Sequence, residues 1–202
     1  MKRTRHEVLS EFRCSEIVDA ARELFSKRGM ESVTIDEIAS AAGMAKATVY
    51  QYFPSKQDIY LAALRMGAQE LLAMTEASME KAQGAAAKVE AFVRTRLEYL
   101  RRNHEFFAVY HSEFGNLTHP AGLNREFRTL YRRQFDRLRS VIEEGIQSGE
   151  FPRISSDVLA ICIYEATRGL MLHHSLGWSQ ATVDEEVASL RRIFLLDRRE
   201  ES

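Results

Sequence analysis

Lys46, Ala47, Thr48, Tyr50, Gln51 and Tyr52 crowd a cation, a hydroxyl, two phenols and an amide into seven consecutive positions. Wound into a helix, the segment puts Val49 and Phe53 four apart on one face and turns Ala47, Thr48, Tyr50 and Gln51 broadly the other way. That second face has no core to fill. Small, hydroxyl and amide groups presented outward from a short helix are what major-groove readout of DNA requires. Gln51 is the best candidate for base readout, because its amide can pair bidentately with adenine. Tyr50 and Tyr52 can reach phosphate with the phenol and stack on sugar or a thymine methyl. Core packing is the competing use of each aromatic, and of the two Tyr52 lies nearer the Val49 side.

The neighbouring residues are those needed to hold such a helix in place. Thr34 occupies an N-cap position with Glu37 three residues on, a capping box, and Val33 with Ile38 is placed as a hydrophobic staple. A helix is therefore expected from Ile35, with Ile35, Ile38, Ala39 and Ala42 at helical spacing, and Gly43 supplies the backbone freedom of a tight turn. Upstream, a helix over residues 7–27 carries an apolar stripe of Ile17, Ala20, Ala21, Leu24 and Phe25 and closes at Gly29. Downstream, Pro54 stops the short helix, and Ser55 with Asp58 repeats the capping spacing to open a long one. Helix, turn and helix in this order also occur in purely structural corners, so the flanking segments matter.

Those flanks read IVDAARELFSKRGMES over residues 17–32 and PSKQDIYLAAL over residues 54–64, around VTIDEIASAAGMAKATVYQYF at 33–53. Over residues 13–64, in near-continuous register, the chain resembles the N-terminal domain of the TetR family of bacterial transcriptional regulators. GIQSGEF, residues 145–151, resembles the connection that precedes the last two helices of that family. The resemblance implies an N-terminal three-helix DNA-binding domain over residues 1–54 and a larger C-terminal helical ligand-binding and dimerisation domain over 55–202. It implies phosphate contacts by Thr34 and Lys56 at the starts of their helices, which position the protein rather than read sequence. The family commonly has Ser and Gly where this chain has Ala45 and Ala47. Ala45 cannot cap the reading helix, forgoing about 1 kcal/mol, and the Ala47 methyl reduces room for close approach to the groove while offering a contact to thymine.

Composition agrees with an all-α fold. The chain has 202 residues, 45% of them hydrophobic, only three prolines, and no alternating β-type runs. No apolar stretch is long enough to span a bilayer and the N-terminus lacks a secretory pattern, so a cytoplasmic protein with no membrane partner is expected. Cys14 and Cys162 are read as buried reduced thiols. The net charge is −1, and the first sixty residues hold nine bases and nine acids. Attraction to phosphate must then come from a local arrangement, Lys2, Arg3 and Arg5 in the N-terminal arm with Lys46 and Lys56, and the salt dependence of binding is moderate. No Gly-rich phosphate loop, HExxH or cysteine pair at metal spacing occurs, and the adjacent His173 and His174 point about 100° apart on a helix. No catalytic residues, metal or cofactor are expected. An enzyme that binds a small molecule in a helical fold is the remote alternative; a nucleoid-associated or division-linked DNA binder of the same fold is the nearer one.

Further helices are expected over residues 89–100, 104–114, 123–147, 156–175 and 182–196, with connections at 83–88 and 115–122. Apolar residues cover nearly the whole circumference of the helix at 156–175, so it must be covered on both sides. A large internal core and a subunit interface both satisfy that demand; the family resemblance implies a homodimer through the last two helices, with Ile161, Tyr164, Leu172, Val187, Leu190 and Phe194 as interface candidates. Aromatics converge in the same half of the chain, and Phe107, Tyr110, His111 and Tyr131 are the candidates for lining an effector cavity for a hydrophobic or amphipathic small molecule. The expected partners are thus an operator duplex, a small-molecule effector and a second copy of the chain.

Overall fold

The computed structural model describes residues 4–103 and 121–194, and every regular element among them is a helix. These are α1 (Arg5–Arg28), α2 (Ile35–Ala41), α3 (Lys46–Tyr52), α4 (Lys56–Lys81), α5 (Ala85–Arg102), α6 (Ala121–Ser148), α7 (Ser156–Ser175) and α8 (Val183–Phe194). Packing divides them into two units at Gly67, inside α4.

In the first unit α1 packs on α2 and α3. Its inward face is Ile17, Val18, Ala21 and Phe25, with Ala20 and Leu24 only half-buried at its edges. Val33 and Ile38, the staple pair, are both fully buried, as are Val49 of α3 and Ile59 and Ala63 of α4. Phe25 meets Tyr60 edge-on with centroids 5.4 Å apart, a favoured aromatic geometry. Each of these large side chains contributes roughly 1.5–3 kcal/mol by leaving water. That is how a seven-residue α3, too short to persist alone, is held in one place. The expected capping of α4 is present: Asp58 N–H donates to Ser55 Oγ at 3.2 Å, and the Ser55 hydroxyl donates to Asp58 Oδ2 at 2.6 Å.

In the second unit α5 contacts α6, α7 and α8, α6 contacts α7, and α7 contacts α8. The core joins Val89, Phe92, Val93 and Leu97 of α5 with Leu138, Val141 and Ile142 of α6, and with Leu159, Ala160, Ile163 and Tyr164 of α7. The connection expected at residues 83–88 is shorter than the spacing suggests, because α5 already starts at Ala85. The cause lies far along the chain: the Glu150 carboxylate accepts from the Ala85 and Ala86 amides, each at 3.0 Å. Those backbone bonds hold the Glu150 carboxyl below the usual range. Likewise α6 begins at Ala121, inside the segment read as loop, whereas the helix expected at 104–114 lies outside the described residues. Cys14 and Cys162 are both free, as expected, but neither is buried; Cys162 is exposed on α7.

Gly145, inside α6, marks a close approach. A methyl there would lie 2.7 Å from the Ala85 Cβ and collide with the Phe151 ring. Gly145→Ala is therefore expected to destabilise the fold by about 1–3 kcal/mol, read as a lower urea midpoint; an unchanged midpoint would show that the ring can move aside.

Candidate nucleic-acid interface and C-terminal sites

α2 is capped as its sequence predicts. Glu37 N–H donates to Thr34 Oγ1 at 3.3 Å and Thr34 N–H donates to Glu37 Oε2 at 2.8 Å. The Thr34 hydroxyl itself donates to Glu37 at 2.9 Å, and Arg28 adds an ion pair to the same carboxylate at 2.8 Å. The Thr34 backbone bond, then Arg28, then the hydroxyl bring the Glu37 carboxyl down to about 2. Because the folded value is depressed, whatever this cap contributes is present above the ordinary carboxylate range and is lost only as pH falls towards 2. Thr34 is exposed, and its hydroxyl has its hydrogen committed to Glu37 and lone pairs left over.

α3 begins at Lys46, and its N-cap residue, Ala45, gives it no side-chain cap. Ala45→Ser is expected to raise the thermal midpoint by the equivalent of about 1 kcal/mol, and no change on calorimetry would mean that solvent already serves those amides equally well. Along the helix Val49 is fully buried, Tyr50 keeps 48% of its surface, and Lys46, Ala47 and Gln51 are exposed. Thr48 and Tyr52 are half-buried, so the phenol of Tyr52 shares its ring between core and rim. The outward group is thus narrower than the sequence suggests, centred on Lys46, Ala47, Tyr50 and Gln51.

Both cations of the site have partners. Lys46 Nζ pairs with Asp36 Oδ2 of α2 at 2.8 Å, which raises the lysine's pKa. Lys56 Nζ donates to the Met30 carbonyl at 2.9 Å and to Glu31 at 3.4 Å, tying the start of α4 to the turn after α1. The Lys46 pair was not readable from spacing, since ten residues and a turn separate it from Asp36. Lys2 and Arg3 lie outside the described residues.

In the second unit, the Tyr131 hydroxyl lies 3.3 Å from Glu165 and the ring stands edge-on to Tyr164 at 4.6 Å. Burial, with the Tyr164 and Glu165 neighbours, pushes its phenol up to about 12. Phe107, Tyr110 and His111 lie outside the described residues. Two polar side chains that the sequence reading passed over belong to this cluster: Arg96 and Gln134 are 5% and 6% exposed. The available signal was position, because residue 96 falls on the same helical face as Val89, Phe92, Val93 and Leu100.

The six interface candidates separate by burial. Ile161 and Leu172 are 50% and 41% exposed, whereas Tyr164, Val187 and Leu190 are buried within the subunit. Val187, Leu190 and Phe194 line a small apolar crevice with Val89, Val93 and Ile163, too small for an organic ligand and rimmed by the Glu90–Arg191 pair at 3.2 Å. The face of α7 left uncovered instead carries Val158, Ile161, Leu172 and Leu176. Among the described residues no group of acidic, His or Cys side chains could hold a metal ion, and no helix is long and apolar enough to cross a membrane.

A three-helix head that buries one side of α3 and presents the other has the form of a helix-turn-helix DNA-binding domain. Residues 17–63 match the model of the bacterial regulatory proteins of the tetR family, and residues 82–172 match the tetracyclin repressor-like C-terminal domain. The HTH-type transcriptional repressor KstR2 of Rhodococcus jostii is 30% identical over 145 residues, covering 69% of this chain and 68% of that one. The chain belongs to the TetR family of regulators. Its fold is similar to that of a putative transcriptional regulator from Saccharomonospora viridis in complex with choline, with a TM-score of 0.81, 25% identity and 93% and 97% of the two chains covered. It is also similar to the transcriptional regulator FadR from Bacillus subtilis in complex with stearoyl-CoA, with a TM-score of 0.73, 20% identity and 90% and 97% covered.

Proposed function

We propose that the protein is a ligand-responsive repressor: a homodimer that holds a palindromic operator through two copies of α3 and lets go when a hydrophobic or amphipathic molecule enters the second unit. The observation that carries the reading is the outward face of α3, where Tyr50 and Gln51 are exposed on a helix anchored by the buried Val49. Residues 1–54 form the reading head in this scheme. Thr34, Lys46, Lys56 and Tyr52 meet phosphate, and Ala47, Thr48, Tyr50 and Gln51 meet base edges.

Support for a second copy comes from α7. Val158 with Ile161 and Leu172 with Leu176 make a stripe of two exposed apolar pairs at helical spacing on one side of it, with the Glu165–Arg168 ion pair between them. Gly169 lies on the same stripe, and a methyl there would touch nothing within the subunit. A glycine inside a helix costs about 1 kcal/mol relative to alanine, and close approach of another helix gives it a use. Two heads so joined can engage successive major grooves. A ligand that binds better to the dimer whose heads do not fit that spacing shifts the population away from DNA, and DNA weakens the ligand by the same factor.

The test is genome-wide mapping of bound sites with intact protein. A few palindromic sites beside genes for handling one class of small molecule are expected. Many scattered sites with no such neighbours would turn the reading towards chromosome organisation, and no enriched duplex would end it.

A further inference from the structure

We infer that Arg96 is the anchor for an oxyanion, and that the effector is an amphiphile with a carboxylate or phosphate head on an apolar tail. The inference rests on the ligand-responsive reading above and narrows its ligand class.

Arg96 stands on the inward face of α5 and is 5% exposed, between neighbours that are themselves buried. Among the described residues no carboxylate forms an ion pair with it. Its Nη1 donates to Gln134 Oε1 of α6, a neutral oxygen that also accepts from the Tyr164 hydroxyl at 3.3 Å. Its Nε is buried and has no acceptor. The charge is met only by two ring faces, with Cζ 4.3 Å from the Tyr164 centroid and 5.3 Å from that of Phe92.

A guanidinium stays charged in any protein environment and has five N–H groups to satisfy. Removing it from water without a counter-ion is unfavourable by more than ring faces and one amide return. The contrast with its neighbour in the same helix is informative. Arg101, also largely buried and likewise without an acceptor on its Nε, pairs with the Glu186 carboxylate at 2.5 Å, so the difference within α5 is the counter-ion: one internal arginine has its anion and one does not. An oxyanion arriving at Arg96 would gain charge-assisted, fork-shaped hydrogen bonding. The apolar surface nearest the guanidinium is aromatic, from Phe92 and Tyr164 with Tyr131 against the latter. A quaternary ammonium, the kind of ligand held by the Saccharomonospora viridis neighbour, would meet like charge here.

The test uses intact protein and four probes built on ten-carbon chains: decanoate, decyl phosphate, decanol and decyltrimethylammonium, titrated by calorimetry below their micellar concentrations. Decanoate or decyl phosphate is expected to bind at least about tenfold more tightly than decanol, with the ammonium weakest; the two anions tell a carboxylate head from a phosphate head. Arg96→Met should erase the preference while leaving decanol binding within about twofold, and Arg96→Lys should keep part of it. Equal binding of decanol and both anions, tighter binding of the ammonium, no binding of any probe, or a preference that survives Arg96→Met would each overturn the inference. The wild-type series stands even if Arg96→Met does not fold. Operator binding without ligand is measured in parallel by anisotropy on the mapped duplex, so loss of the repressor reading and loss of the anion site are seen separately.

Discussion

Replacing Tyr50 and Gln51 together by Ala is expected to weaken binding to the mapped operator at least about hundredfold, while the thermal midpoint stays within about 2 °C of wild type. The first half follows from direct readout, in which a good base contact discriminates by roughly 1–3 kcal/mol, and from symmetry, which removes every contact twice from a two-headed complex. The second half follows from burial. Tyr50 is half exposed and Gln51 is exposed, so neither holds the head together, and surface changes of this kind usually stay within about 0.5 kcal/mol. Anisotropy with the specific duplex and with a scrambled one, at one salt concentration, separates the effects. Affinity for the scrambled duplex should change far less. Unaltered operator affinity would remove α3 from the reading surface.

The second large effect is expected at Ile161. With half its surface uncovered on the exposed apolar side of α7, Ile161→Glu should convert the protein to a monomer on sedimentation at micromolar concentration and lower operator affinity by at least about a hundredfold. A carboxylate buried against a second helix without a partner is strongly unfavourable. A single head then loses the gain from having its twin tethered beside the adjacent half-site. Because the side chain is exposed in the subunit, far-UV circular dichroism should not change. A variant that remains dimeric would relocate the subunit contact elsewhere.

The head was legible in the sequence because its signals are local. A capping box spans four residues, a staple six, and the turn glycine with positive φ, Gly43, lies between two short helices whose apolar positions recur at helical spacing. The start of α5 was not legible in this way, since the carboxylate that caps it comes from Glu150, and no window of sequence holds both partners. Which residues of α7 and α8 the subunit itself covers was not legible for a related reason. An apolar residue looks the same in sequence whether its own subunit or another covers it, and Tyr164, Val187 and Leu190 turned out to be covered at home. Arg96 is legible only from its place on the inward face of α5, since its residue type on its own says nothing of burial.

The pairing of Lys46 with Asp36 has a consequence for how the protein finds its site. Attraction to random DNA is almost wholly a matter of uncompensated cations, and here the cation at the front of α3 arrives already neutralised, on a head whose bases and acids balance. A phosphate reaching Lys46 has to compete with Asp36 for it, so more of the sequence-independent attraction falls to the basic N-terminal arm.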